Sequence, residues 1–87
     1  MEVTVTLDPL ANRTEDKFLR SDWLTIEPFN SKIIGLFLCF QNPDGNTKKT
    51  PVPDTTKHVK HNFSGFGYFW FEYSSADKEY KINVEAS

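Results

Sequence analysis

The chain has a single cysteine, Cys39, so no disulfide can form within it and no covalent cross-link holds the fold. It also lacks an apolar run long enough to cross a bilayer as a helix. The longest, Ile33–Phe40, spans eight residues, where about 20 are needed. Met1-Glu2-Val3-Thr4 has neither the basic segment nor the apolar stretch of a secretory leader, which points to the cytoplasm. The alternative is an excised extracellular domain, in which Asn12-Arg13-Thr14 and Asn62-Phe63-Ser64 would be glycosylation acceptors. Positive charge is not in excess: the formal net charge is −2. Proteins that coat phosphate backbones gain affinity from Lys and Arg displacing counterions. General nucleic-acid binding and attachment to an anionic membrane are therefore not expected. No window holds a sustained 3.6-residue apolar period, so no amphipathic helix is expected either.

What the sequence does have is aromatic volume. Eight Phe, three Tyr and two Trp fall within 87 residues, a length that implies one domain, residues 1–87. A chain this short buries only about 60–65% of the surface its unfolded form exposes. Large rings, each burying roughly 150–250 Å², are how such a core is filled.

The apolar pattern is that of strands. Val3, Val5 and Leu7 alternate with Glu2, Thr4, Thr6 and Asp8, giving a half-buried strand. Leu10 to Asp16 reads as a loop or short turn, with Glu15 and Asp16 as solvated charge. Leu24 and Ile26 alternate against Trp23, Thr25 and Glu27 up to Pro28. The run Ile33–Phe40 is continuously apolar, the mark of a strand near the middle of a sheet, with Ile34, Leu36, Leu38 and Phe40 assigned to the core. Asn42-Pro43-Asp44-Gly45-Asn46 is a turn, because proline presets φ, Asp bonds its own backbone and Gly accepts positive φ. Residues 47–56, with Pro51 and Pro53, form a loop or edge strand. A short strand is expected near Lys57–Phe63, the strongest strand of the chain over aromatic-rich Gly65–Tyr73, and the last strand where Tyr80, Ile82 and Val84 alternate with Lys81, Asn83 and Glu85.

Six or seven strands with no helix to cover a parallel sheet imply antiparallel pairing. The predicted fold is a small all-β two-layer β-sandwich, immunoglobulin-like or jelly-roll-like, with a small β-barrel as the alternative.

Ser64-Gly65-Phe66-Gly67-Tyr68-Phe69-Trp70-Phe71 resembles the RNP1 octamer of RNA-recognition motifs, a Gly-aromatic-Gly-aromatic strand. The resemblance implies that Phe66 and Tyr68 stack on bases. It covers eight residues, starts on Ser where the motif has Lys or Arg, and lacks the family's helices. Residues 43–63 hold Pro43, Pro51 and Pro53 and no helical period. The competing reading is a strand whose glycines make room for bulky neighbours.

Side-chain direction carries more. On the Gly65–Tyr73 strand, Phe69, Phe71 and Tyr73 share one face, and Phe66, Tyr68, Trp70 and Glu72 the other. Glu72 belongs in water, so its face is the outer one. The same parity turns Trp23 and Phe37 outward. If these strands are neighbours, Trp23, Phe37, Tyr68 and Trp70 form one exposed aromatic patch of the kind that marks partner surfaces, unless the 43–57 loop covers it.

Lys48, Lys49, Lys57, His58, Lys60 and His61 form a basic cluster. Four lysines against Asp54 give +3 over residues 48–61 and leave −5 for the rest of a chain of net −2. Lys57 and Lys60 would supply charge at the rim of the patch and steer an acidic partner. Lysines on an edge strand also discourage aggregation.

Catalytic and metal signals are weak. His58 and His61, three apart on a strand, point to opposite faces. Cys39 lies in an apolar strand without a flanking base, as an inert thiol does. No phosphate-cradling loop or nucleophile motif is present. The expectation is a non-enzymatic binding module without cofactor or metal, acting on another protein as inhibitor, adaptor or assembly subunit. A carbohydrate-binding module with aromatic faces on sugar rings is one alternative. Single-stranded nucleic-acid binding through Phe66 and Tyr68 is the other.

Overall fold

Alternating apolar and polar residues put both ends of the chain into strands that pair with each other. In the computed structural model, which describes residues 1–14, 17–20, 22–63 and 65–86, β1 (Glu2–Leu7) runs antiparallel to β10 (Tyr80–Ala86). The readings of Glu15, Asp16 and Ser64 lie outside the described residues. Between these ends come β2 (Phe18–Arg20), β3 (Trp23–Ile26), β4 (Ile33–Ile34), β5 (Phe37–Gln41), β6 (Thr47–Pro51), β7 (Val59–Asn62), β8 (Gly67–Glu72) and β9 (Ser75–Ala76).

Two four-stranded sheets, ordered β1-β10-β3-β7 and β2-β8-β5-β6, carry the fold, and β4 pairs with β9. Every pairing is antiparallel. With the two-residue strands set aside, the first of the eight remaining strands pairs with the last. The second then pairs with the seventh, the third with the sixth and the fourth with the fifth. This is one long hairpin wrapped into two layers. Of the two expected sandwich types, it is the pairing order of the jelly roll.

One core fills the space between the layers. Val5, Leu7, Leu24, Ile26, Ile82 and Val84 of the first sheet meet Leu38, Phe40, Phe69 and Phe71 of the second, all buried. The inward phase read from the sequence for β1, β3, β8 and β10 is the one observed.

Among the described residues the strands number ten rather than the predicted six or seven, because β2 and the two-residue β9 were not expected and one predicted strand is split. The three-residue edge strand β2 was too short to show a period. The predicted strand Ile33–Phe40 is also broken, because Gly35 adopts φ +67° and separates β4 from β5. The ladder keeps its register across the break: Phe37 lies opposite Glu72, and Ile34 opposite Ser75. A side chain at Gly35 would meet Ser74 Oγ at 2.7 Å. The kink reverses the side-chain phase, so Ile34 is exposed rather than in the core, and Ile33 packs against it instead.

A charged residue faces inward at the end of the second sheet. Arg20, only 3% exposed, donates to the carbonyls of Gly65 (2.9 Å) and Gln41 (3.0 Å) and to Asn42 Oδ1 (2.9 Å). Its guanidinium stacks 3.7 Å from the Phe63 ring centroid. Gly67, directly opposite Arg20, leaves the room: a Cβ there would come within 2.0 Å of the Gln41 carbonyl and 2.7 Å of the guanidinium. The bulky neighbour that this glycine admits is therefore Arg20.

Gly67→Ala is accordingly expected to lower stability by about 2–4 kcal/mol, since a backbone carbonyl and a buried hydrogen-bonded cation must both shift. Urea unfolding measures this. A loss below about 1 kcal/mol would show that Arg20 does not depend on that space.

Candidate functional site

The outer face of the second sheet is built in three rungs. Leu19, Tyr68, Gln41 and Thr47 stand side by side across β2, β8, β5 and β6. Trp70, Cys39 and Lys49 form the next rung, and Glu72, Phe37 and Pro51 the third.

The first rung carries the exposed apolar surface. Leu19 is 62% exposed, Tyr68 42%, and Phe66, just before β8, 75%. With Pro43 and Gln41 they line a hollow of about 260 Å³. Phe66 is presented by an anchored turn: the Gly65 amide donates to Asp22 Oδ1 at 3.1 Å, and the Gly65 carbonyl accepts from Arg20.

The second and third rungs are capped. Trp70 points outward as the alternation requires, yet it is only 9% exposed, which corrects its assignment to an open surface. Lys17 Nζ lies 4.9 Å from its ring centroid, and its indole N–H donates to Glu72 Oε2 at 3.2 Å. Phe37 is half-buried, with Lys49 Nζ 4.9 Å from its ring. Long lysine stems cover these rings while the ammonium groups stay in water.

Cys39 faces this side too, directly between Trp70 and Lys49, and is buried. Burial pushes its thiol up to about 12, and the negative charge of Glu72 adds to the effect. A thiol held protonated is a poor nucleophile.

The structure separates residues that the sequence grouped. Trp23 is exposed, but it belongs to the first sheet, opposite Asn62 on β7. It therefore does not join Phe37, Tyr68 and Trp70, because the jelly-roll order places β3 between β10 and β7. Its surroundings are polar: Thr4, Asn83, Thr25 and Lys60 lie on that outer face. Lys57 and Lys60 go with that side and do not rim the aromatic face. Lys57 Nζ lies 4.0 Å from Asp54, and Lys60 lies opposite Thr25. The cations beside the aromatic face include Lys17, Lys49 and Arg13, whose backbone forms a β-bridge with Glu72 and which lines a hollow with Phe37 and Lys49. Residues 43–57 do not fold over it, since Thr47–Pro51 extends the sheet as β6.

The histidines diverge. His58 Nε2 lies 3.0 Å from Glu27 Oε2, and His61 packs against Phe40 and Phe63. Among the described residues no three His, Cys, Asp or Glu side chains are grouped to hold a metal ion.

Sequence reasoning missed Leu19. The only signal was the triplet Phe18-Leu19-Arg20, in which the arginine marks the wrong face as wet, because here the charge is buried and the leucine exposed. Comparison with protein-family models, curated proteins and solved structures finds no match to this chain.

The raised Cys39 pKa sets two observables. Native protein at pH 8 is expected to react with a disulfide reagent about a thousandfold more slowly than urea-unfolded chain, as three pKa steps in thiolate fraction require. A thiol whose pKa rises on folding stabilises the fold below its unfolded value of 9.0 and loses that contribution as pH climbs to about 12. Stability should therefore fall across that window more steeply than in Cys39→Ala. Equal slopes, or equal reactivity, would show the thiol to be solvated.

Proposed function

We propose that the protein is a non-enzymatic binding module that engages another protein through the outer face of β2-β8-β5-β6, centred on Leu19, Phe66 and Tyr68. One observation carries this reading: three large apolar side chains stand exposed together around one hollow, whereas the opposite face exposes Trp23 amid threonines, asparagines and charges. Adjacent exposed apolar residues mark interaction surfaces, whereas isolated ones do not.

Magnitudes set the scale of the footprint. Burying Leu19 and Phe66 is worth about 1.5–3 kcal/mol each. Association costs an estimated 4–15 kcal/mol in lost freedom. These side chains are therefore the centre of a wider contact, with Tyr68 supplying a rigid ring and a hydroxyl of the kind enriched at hot spots. Lys17 and Lys49 at its edge would steer an acidic partner. The protonated thiol and the engaged histidines favour binding over catalysis. An inhibitor, an adaptor and an assembly subunit all fit this description.

The test is affinity capture from the native source with wild type, a Phe66→Ala/Tyr68→Ala double variant and Trp23→Ala, each checked for folding by circular dichroism. A specific protein should be retained by wild type and Trp23→Ala and weakened at least about 30-fold by the double variant. Loss through Trp23→Ala instead would move the site to the other sheet. Two further arms address other partner classes with the same variants. Saturable binding on a glycan array, or salt-sensitive binding of short oligonucleotides, abolished by the double variant would replace the protein-partner reading.

A further inference from the structure

A second hollow, of about 450 Å³, opens between the two sheets on the side of their edge strands β6 and β7. Its apolar wall is a cluster of three rings from both layers. His61 and Phe63 lie 4.5 Å apart by ring centroid, Phe40 and Phe63 4.8 Å, and Phe40 and His61 5.4 Å. Lys48 also lines the hollow. It sits opposite Phe40 in the β5·β6 register, at a position whose parity on the strand is inward, where an apolar residue would have closed the gap between the layers.

The polar lining mixes donors and acceptors, from Asn42, Asp44, Lys48 and Asn62. Arg20 donates to Asn42 Oδ1 at 2.9 Å, which takes up one lone pair of that oxygen and orients the amide. Asp44 accepts at both carboxylate oxygens from Asn46, at 2.9 Å each, which holds the acidic side chain to its own turn at the edge of the hollow, with its charge kept. Lys48 adds an ammonium group. The volume falls within the range of small-molecule clefts, roughly 300–1,000 Å³. Aromatic rings on one side and the Lys48 ammonium group on the other match a flat ligand that carries a negative group.

We infer that this hollow binds a small planar anion, an aromatic or heteroaromatic ring bearing a phosphate or carboxylate, with Lys48 on the anionic group and the Phe40–His61–Phe63 cluster against the ring. The site shares Asn42 and Pro43 with the hollow on the outer face, but Lys48 and the three rings belong to it alone, and the inference does not rest on the proposed partner surface. Its ligand would enter from the β6–β7 side, where Lys48 is exposed, and close the rung that the lysine leaves open.

The experiment is an amide-resolved NMR titration of the full chain with three probes: phenyl phosphate, inorganic phosphate (the anion without the ring) and phenol (the ring without the anion). Phenyl phosphate should give saturable shifts confined to residues 40–44, 48 and 61–63. It should bind at least about tenfold more tightly than either fragment. Lys48→Ala should weaken it at least about tenfold, as loss of a charge-assisted hydrogen bond requires. Lys60→Ala, on the outer face of the first sheet, should leave it unchanged. His61→Leu, which keeps an apolar contact with Phe40 and Phe63, should weaken phenyl phosphate but not inorganic phosphate. Three results would overturn the inference: no saturable shift up to about 10 mM, equal affinity for phenyl phosphate and phosphate, or binding indifferent to Lys48→Ala. The last would leave Lys48 as an edge-strand charge only.

Discussion

The buried guanidinium of Arg20 holds together the end of the molecule on which both candidate sites depend. Removing such a cation from water costs several kcal/mol even after relaxation, and burial lowers its pKa from the usual arginine value. That cost is met locally. Hydrogen bonds to the Gly65 and Gln41 carbonyls and to Asn42 are each of a kind worth about 1.5–3 kcal/mol. The stacked Phe63 ring adds about 2 kcal/mol in a desolvated setting. The arrangement pins β2 to β8, fixes the turn before β8 and ties in the end of β5. Leu19 points outward because Arg20, its neighbour on the strand, points inward. Phe66 is held in water because the residue before it is bonded at both its amide and its carbonyl.

The same cation organises the inner hollow from behind. Phe40 and Phe63 line that hollow, and both rings lie against the guanidinium, at 6.0 and 3.7 Å. Asn42, which turns the chain from β5 towards β6, accepts from it. Arg20 thus stands between an outward apolar surface and an inward ring cluster, and the rigidity of each follows from one set of hydrogen bonds. Groups held in place before binding lose less freedom when a ligand arrives.

The outer face of the second sheet shows how aromatic residues can be displayed without being open. Trp70 and Phe37 follow the outward phase of their strands, yet lysine stems and a carboxylate cover them. Only the rung beyond the reach of Lys17 and Lys49 stays bare. Burial of the Cys39 thiol between Trp70 and Lys49 belongs to the same covering layer, which removes water from the middle of the face. Direction along a strand is set by backbone geometry, whereas exposure is set by whichever long side chains lie alongside.

The sequence by itself determined which residues point in and out within β1, β3, β8 and β10, because a period of two is a local property and one unambiguous residue, such as Glu72, sets its phase. It determined the turn at Pro43–Gly45, the all-β class and the inward packing of Phe69 and Phe71 for the same reason. The tertiary structure alone decided which strands are neighbours: jelly-roll pairing joins segments far apart in the chain, so Trp23 and Tyr68 carry the same outward phase on opposite layers. It also decided the reversals of local rule. Gly35 switches phase in mid-run through a positive φ that no apolar pattern encodes. Arg20 turns a charge inward because a glycine across the sheet and two carbonyls, one at the end of β5 and one in the turn before β8, converge on it, and that convergence exists only once the strands have come together.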